Sequence, residues 1–251
     1  MFSHNPRGWQ LKDLTPDECA LFKDTKARLD ISPVCVHASY LINMATTKPD
    51  LRTKSVQMLR AEMLRADALG ADYVILHTGV SHQEDGRRSA VEAIVEAMQG
   101  IRPDTTALLL ENTSGKSGDM ASSMEGLAAI FQGVNSSGPI ASGVCIDTCH
   151  AFAAGYDFRL EGAADEFARE LDSLVGLSNL KVVHLNDSKA DSGTGKDRHE
   201  HIGKGFIGEA GLSAFLNHPY FNGLPVILET PRESDEDDLA NLASARLLIS
   251  S

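Results

Sequence analysis

The chain has 251 residues, of which 42% are hydrophobic, and it carries a formal net charge of −12. This size suits one large domain, so we expect residues 1–251 to share a substantial core. The acidic balance argues against nucleic-acid binding through overall charge, although it does not exclude a local site that holds cations. The four cysteines do not suggest a disulfide framework, and the sequence contains no apolar signal peptide or membrane span, so a cytoplasmic location is expected.

Short apolar segments alternate with helical patterns along the chain. The first helix is predicted to begin after Thr15, an N-cap followed by Pro16, and to run to about Asp30. Further helices are predicted over residues 50–69, 88–99, 122–131, 160–175, 210–216 and 235–249. Strands are predicted over residues 33–40, 73–76, 107–110, 143–146, 181–183 and 225–228, with a long loop over 186–208. This alternation predicts repeated βα units and a parallel sheet.

Each predicted strand leads into a residue with metal-ligand chemistry. These strand-end residues are His37, His77, Glu111, Asp147, His184 and Glu229. His150 follows Asp147 closely, and the long loop adds Asp197 and His199. For Asp147 and His150 taken alone, a satisfied hydrogen bond in the core is an equally good interpretation. Repetition of the pattern at six strand ends favours metal binding, because an isolated buried charge costs several kcal/mol.

The carboxyl ends of parallel strands lie at one edge of a sheet, and six such ends meet at one point only if the sheet closes into a barrel. A TIM (β/α)8-type barrel is therefore predicted, with its active site at that edge. The nine candidate ligands are nitrogen and oxygen donors, which suit zinc or manganese. They are too many for a single ion and would serve two or three. Two further histidines, His4 and His218, are expected at the surface.

Several stretches carry a more specific resemblance. They are SYLIN (39–43), GVCIDTCHAFAAGYD (143–157), HLNDSK (184–189), DRHEHIGKGFIG (197–208) and VILETP (226–231). At these residues the sequence resembles the endonuclease IV family of apurinic/apyrimidinic (AP) endonucleases. The resemblance implies a TIM barrel with three Zn²⁺ ions, Mn²⁺ being possible at one site. It also implies hydrolysis of the phosphodiester bond 5′ to an abasic site, which leaves a 3′-hydroxyl.

The resemblance also assigns roles to individual residues. His37 and His77 would hold the first zinc, and Glu111 would bridge it to the second. Asp147, His184 and Glu229 would complete the second site, and His150, Asp197 and His199 would hold the third. Glu111 and Glu229 would act as the catalytic carboxylates. Arg7, Tyr40 and Leu41 stand where family members press side chains into DNA, although a solvated Arg and a packed Tyr are ordinary alternatives.

The partner implied by the resemblance is double-stranded DNA that contains abasic sites, and a monomer is expected. Three zinc ions would add +6 to the formal charge of −12 and would place that positive charge at the site. Cationic side chains in the predicted loops could contact phosphates, although each one singly is more often solvated; they are Lys116, Lys189, Lys196, Arg198 and Lys204.

The sequence departs from the family at its N-terminus. Six strands are predicted, whereas a barrel of this type needs eight. The first strand, the first helix and most of the second strand of the family pattern are lacking before Phe2. We therefore expect either that this sequence starts inside a longer gene product or that the chain is a poorly folded or inactive fragment. All nine candidate ligands lie after this gap.

Two other functions remain open at this point. A divalent-metal sugar isomerase or epimerase on a related barrel also gathers histidines and carboxylates, but it generally needs one or two ions. An inactive protein that retains only lesion binding is the alternative from outside the enzymes. Metal content distinguishes the first alternative, and the effect of Glu111→Gln on turnover distinguishes the second.

Overall fold

A computed structural model describes residues 1–101 and 103–249 of the chain. The helices are α1 (Pro16–Arg28), α2 (Pro49–Leu69), α3 (Gly86–Met98), α4 (Met124–Asn135), α5 (Thr148–Ala154), α6 (Ala163–Leu174), α7 (Gly208–Leu216) and α8 (Asp235–Leu248). The strands are β1 (Cys35–His37), β2 (Tyr73–His77), β3 (Ala107–Glu111), β4 (Ala141–Asp147), β5 (Leu180–His184), β6 (Asp187–Ser188), β7 (His199–Glu200) and β8 (Val226–Ile227). Every predicted strand and helix therefore has a counterpart in the structure.

The chain divides into two compact units. Unit 1 contains residues 1–111 and 129–143, and unit 2 contains residues 112–128 and 144–251. In unit 1, β1, β2 and β3 form parallel pairs, as the alternation of strands and helices predicts. The register sets His77 beside Glu111, so both side chains lie at the carboxyl ends of their strands.

Local sequence explains the helices of unit 1. Thr15 and Glu18 form a reciprocal capping box at the start of α1, and Pro16 occupies the first helical turn. Gly70 ends α2 with a left-handed φ of 68°, which only glycine adopts without a steric penalty. Apolar residues at helical spacing, including Leu59 and Met63, are fully buried on α2.

Unit 2 contains the second set of parallel pairs. Strand β4 pairs with β5, and β5 pairs with β8, so that Asp147 lies beside His184. Four phenylalanine rings pack against one another beneath the helices of this unit, with centroids 4.3–6.2 Å apart: Phe158, Phe167, Phe215 and Phe221. Aromatic side chains bury large areas, so this cluster is a major part of the core of unit 2.

The structure adds two elements that the sequence did not predict. Helix α5 begins directly after Asp147, whose side chain accepts a hydrogen bond from the His150 backbone N–H at 2.9 Å and so caps the helix. The predicted loop over 186–208 contains an antiparallel pair, β6 with β7, in which Ser188 lies opposite His199. Helix α6 starts at Ala163 rather than Leu160, because Gly162 takes a left-handed φ of 78°.

Within the two described ranges, none of the helices combines the length and the hydropathy needed to cross a bilayer.

Candidate metal centre

The first group of predicted ligands lies in unit 1, at the ends of β1, β2 and β3. The Glu111 Oε2 atom is 3.2 Å from His37 Nε2 and 2.8 Å from His77 Nε2. Glu111 is fully buried, and the ring centroids of His37 and His77 are 5.1 Å apart. One ligand atom from each residue lies within 4.8 Å of the others, which is close enough for a shared cation.

The second group lies in unit 2, at the ends of β4, β5 and β8. One ligand atom each from Asp147, His184 and Glu229 lies within 4.8 Å of the others. The His184 Nδ1 atom is 3.2 Å from Glu229 Oε2. Asp147 is fully buried and His184 is only 1% exposed. Two carboxylates and an imidazole at this depth are a set of donors that suits a divalent cation.

The third group also lies in unit 2 and combines α5 with β7 and the loop before it. His150 Nε2 is 3.3 Å from Asp197 Oδ1, and His199 Nε2 is 3.4 Å from the same atom. His199 Nε2 is also 3.6 Å from Asp147 Oδ2. This nitrogen is buried and has no hydrogen-bond partner in the described part of the chain. A buried nitrogen that faces two carboxylates without a hydrogen bond fits a position where a cation belongs.

Main-chain carbonyls fix the tautomer of three of these histidines. The Nδ1 atoms of His37, His150 and His199 lie 2.7, 3.0 and 2.8 Å from the carbonyl oxygens of Ala38, Asn112 and Glu229. A carbonyl can only accept, so each Nδ1 carries the proton and donates it. The Nε2 atom of each ring then faces a carboxylate oxygen, an arrangement that needs a proton or a metal ion between the two atoms. Histidine ligands are commonly held by such a hydrogen bond from the other ring nitrogen.

One thiol close to these groups is that of Cys149, whose Sγ lies within 4.8 Å of ligand atoms of Asp147 and His199. Its Sγ donates to the Arg198 carbonyl oxygen at 3.8 Å. Burial, with the nearby charge of Asp147, raises the pKa of the Cys149 thiol to about 12. The thiol is therefore neutral in the absence of a cation. Cys145 Sγ also lies within 4.8 Å of a ligand atom of His184. Each of the four cysteines lies in the described part of the chain, and none of them forms a disulfide.

The side chains of two histidines that were expected at the surface are mostly enclosed by other residues. The His4 side chain is 6% exposed, and its Nε2 lies 2.5 Å from Glu62 Oε1. The His218 side chain is 8% exposed, and its Nε2 lies 2.8 Å from Asp165 Oδ1. The surface prediction was wrong for both, because each partner is more than 50 residues away in sequence.

The residues predicted to contact DNA lie at the surface or near it. Arg7 and Tyr40 are exposed, and Leu41 is half-buried. The Tyr40 ring packs edge-on against Phe2, with 5.1 Å between the centroids. The five predicted cationic side chains of unit 2 are all exposed: Lys116, Lys189, Lys196, Arg198 and Lys204. They are therefore accessible to an anionic partner.

Comparison with known proteins decides the family. A family model described as "Xylose isomerase-like TIM barrel" matches residues 1–249. The chain is 42% identical over 248 residues to the probable endonuclease 4 of Halothermothrix orenii, a match that covers 96% of this chain and 88% of that protein. The chain belongs to the endonuclease IV family. This membership confirms the predicted enzyme class, a nuclease and thus a metal-dependent phosphodiesterase.

Solved structures give the same family and the same fold. Endonuclease IV from Thermus thermophilus matches with a TM-score of 0.85 at 35% identity, covering 98% of this chain and 87% of that one. A D-tagatose 3-epimerase-like protein matches with a TM-score of 0.66 at 20% identity, covering 93% of this chain and 84% of that one, and shows a likeness of fold alone. The predicted TIM-barrel class is therefore confirmed for this endonuclease IV family member.

Sequence reasoning missed two amide side chains near the candidate ligands. Asn112 accepts from the Asp147 backbone N–H at 2.7 Å and donates to the Asp147 carbonyl oxygen at 3.1 Å. Asn186 donates to Asp147 Oδ2 at 2.6 Å and accepts from the Glu229 backbone N–H at 2.8 Å. Both amides are fully buried. Each follows a strand end, directly after Glu111 or shortly after His184, so the rule that found the ligands could have found them too.

A third missed residue is Asp187, which holds the loop that follows β7. Its fully buried carboxylate accepts from the backbone N–H groups of Ser188, Gly205, Ile207 and Gly208 at 2.8–3.3 Å. Several N–H donors compensate for the loss of water around a buried carboxylate. This loop carries the exposed Lys204, so Asp187 fixes the position of one of the predicted phosphate contacts.

Proposed function

We propose that this chain is a zinc-dependent AP endonuclease that acts as a monomer on double-stranded DNA. It hydrolyses the phosphodiester bond 5′ to an abasic site and leaves a 3′-hydroxyl. Membership in the endonuclease IV family supports this proposal. The observation that carries it is the gathering of nine nitrogen and oxygen donors into three groups, each with ligand atoms within 4.8 Å.

Each group of donors would hold one zinc ion, and Mn²⁺ could replace zinc at one site. The groups are His37 with His77 and Glu111, Asp147 with His184 and Glu229, and His150 with Asp197 and His199. Bound divalent zinc lowers the pKa of water to about 7 and stabilises negative charge on a phosphate. The buried His199 Nε2, which has no hydrogen-bond partner in the described part of the chain, fits such a cation.

The protein's own groups would orient the reactants and handle the proton. Glu111 and Glu229 are the proposed catalytic carboxylates, because a carboxylate at a strand end can accept the proton of an attacking water. Glu111 is fixed between two imidazoles, and the Glu229 backbone N–H is held by Asn186 at 2.8 Å. Ligand positions set in this way need little rearrangement during the reaction, which favours catalysis.

Contacts to DNA would come from two sets of side chains. Arg7, Tyr40 and Leu41 are proposed to enter the duplex at the lesion, where a missing base lowers the energy needed to unstack the site. The exposed lysines and Arg198 of unit 2 are proposed to contact phosphates. Those contacts would supply a local positive surface on a chain whose formal net charge is −12.

The test is incision of a labelled duplex that contains a single abasic analogue, with an undamaged duplex of the same sequence as control. We expect one cut on the 5′ side of the analogue, and extension of the product by a polymerase would identify the 3′-hydroxyl. A strong chelator should abolish incision, and added zinc should restore it. Elemental analysis of the active protein should give about three zinc ions per chain. Incision that survives complete removal of metal would refute the proposal.

A further inference from the structure

Glu62 is an ionisable residue on the core face of α2. It is fully buried, and Ser55, Leu59, Met63 and other buried residues line the same helix. A buried carboxylate persists only where partners compensate for the loss of water. Burial raises the pKa of Glu62, although His4 and the Ser39 backbone N–H act in the opposite direction. The proposed chemistry does not use this carboxylate.

The partners of Glu62 belong to two separate segments. His4 Nε2 lies 2.5 Å from Glu62 Oε1. The Ser39 backbone N–H donates to both carboxylate oxygens, with distances of 3.1 and 3.2 Å. One side chain therefore holds the N-terminal segment and the loop that follows β1. These are the two segments of the chain that carry Arg7 on one side and Tyr40 with Leu41 on the other.

Further hydrogen bonds tie the two segments to each other. The Ser39 hydroxyl donates to the Pro6 carbonyl oxygen at 2.8 Å and accepts from the Leu41 backbone N–H at 3.2 Å. Pro6 directly precedes Arg7, and Leu41 directly follows Tyr40, so both hydrogen bonds lie next to a proposed DNA contact. Displacement of Ser39 would therefore shift both contacting segments together.

The N-terminal segment is also held at its two ends. The Met1 carbonyl oxygen accepts from the His37 backbone N–H at 2.8 Å, and the Met1 amino group donates to the Cys35 carbonyl oxygen at 2.9 Å. Arg65 donates to the carbonyl oxygens of Ser3 and Lys12 at 2.8 and 2.6 Å. Between these points, His4 is the side chain that reaches Glu62 in the interior of unit 1.

We propose that Glu62 and His4 form a buried anchor that positions Arg7 and Tyr40 for binding of the abasic site. This inference rests on the proposed function and adds to it two positioning residues that lie outside the three groups of candidate ligands. Loss of the anchor should lower the affinity for DNA and leave the rate of the chemical step unchanged. The segments that it holds carry the proposed DNA contacts and not the proposed catalytic carboxylates. Loss of the anchor leaves the bonds of Met1 and Arg65 in place, so the segment loosens and does not detach.

The variants His4→Ala, Glu62→Ala and Glu62→Gln test the anchor, with His218→Ala as matched control. His218 is also a buried histidine whose Nε2 pairs with a carboxylate, but its partner Asp165 lies in unit 2. The dissociation constant for an abasic-analogue duplex and the single-turnover incision rate at saturating protein should be measured for each. His4→Ala and Glu62→Ala should weaken binding about tenfold, the scale of one charged hydrogen bond. The saturated rate should stay within about twofold of wild type.

Two further measurements separate positioning from general destabilisation. Glu62→Gln retains an acceptor for the Ser39 N–H and should restore most of the affinity. A variant with both Glu62→Ala and Arg7→Ala should lose less binding free energy than the two single losses added together, because Glu62 acts in part through Arg7. Hydrogen exchange of residues 1–12 and 38–42, measured without DNA, should accelerate in His4→Ala and Glu62→Ala but not in His218→Ala.

Three outcomes would overturn the anchor. They are wild-type affinity in both alanine variants, an equal loss of affinity in His218→Ala, and unchanged exchange in the two segments. A loss confined to the saturated incision rate would also contradict it, since that result would place Glu62 in the chemistry. Failure of the wild-type protein to incise the abasic duplex would refute the proposed function instead. The hydrogen-exchange measurement would still test in that case whether Glu62 and His4 hold the two segments, because it needs no DNA.

Discussion

Substitution of Asn186 by Ala should have two effects that can be measured separately. It should lower the stability of the fold, and it should weaken metal binding by the residues that Asn186 orients. The buried amide donates to Asp147 Oδ2 at 2.6 Å and accepts from the Glu229 backbone N–H at 2.8 Å. A hydrogen bond to an ionised group contributes about 1.5–3 kcal/mol and a neutral one about 0.5–1.5 kcal/mol. Their loss should lower the free energy of unfolding of the metal-free protein by about 2–4 kcal/mol.

The same change should also weaken zinc binding. Without the amide, Asp147 keeps its contact to the His150 backbone N–H but loses the partner that orients its second oxygen. Removal of a side chain that orients a ligand typically costs 10–100-fold in metal affinity, about 1.4–2.8 kcal/mol. Urea unfolding in excess chelator measures the first effect, and competition with a chromophoric chelator measures the second.

Asn241→Ala is the matched control for Asn186→Ala. Asn241 is also a buried amide of unit 2, and it accepts from the Ile202 backbone N–H at 2.9 Å and donates to the Asp237 carbonyl oxygen at 2.8 Å. The control should lose a similar amount of stability and keep wild-type zinc affinity. Equal zinc affinity in Asn186→Ala and wild type would refute the inference that Asn186 supports metal ligands.

Three other changes have defined outcomes. Glu111→Gln should reduce the turnover number by about 100-fold or more, and unchanged turnover would remove Glu111 from the reaction. Gly205→Ala should destabilise the protein by about 2–4 kcal/mol in urea unfolding, since the new Cβ would lie 2.5 Å from Asp187 Oδ1; a smaller effect would mean that the loop can shift. Hydrogen bonds from Arg159 lower the pKa of Asp157, so its carboxylate contributes stability that is lost as the pH falls through that lowered value. Asp157→Asn should therefore flatten the fall of the melting temperature between about pH 4 and pH 2, and an unchanged slope would contradict this assignment.

The sequence predicted the strand ends well because their pattern is local. A short apolar run followed by His, Asp or Glu is visible without any knowledge of the fold, and the parallel register then sets Glu111 beside His77 and His184 beside Asp147. Asn112 and Asn186 follow the same rule, but amides are common in turns and so did not stand out. Helix α5 was missed because its first residues continue a stretch that was interpreted only as the end of a strand.

Pairs of residues that are far apart in the sequence cannot be predicted from local sequence patterns. His4 and His218 lie outside the pattern of strand ends, so a surface position is the ordinary expectation for both. Their carboxylate partners are 58 and 53 residues away, so only the folded chain brings them together. The pairing of Glu62 with His4 also explains a carboxylate on the buried face of α2, a position that helical periodicity alone would assign to an apolar residue.

The main-chain bonds of the histidines indicate how metal binding relates to folding. His37, His150 and His199 each donate Nδ1–H to a carbonyl oxygen within unit 1 or unit 2. Those carbonyls belong to the backbone around strand ends, so the imidazoles are oriented once the strands form and before any cation binds. A cation would then bind between an Nε2 atom and a carboxylate that already face each other, and it would not have to order the chain. The metal-free protein should consequently remain folded, with zinc raising its melting temperature by mass action.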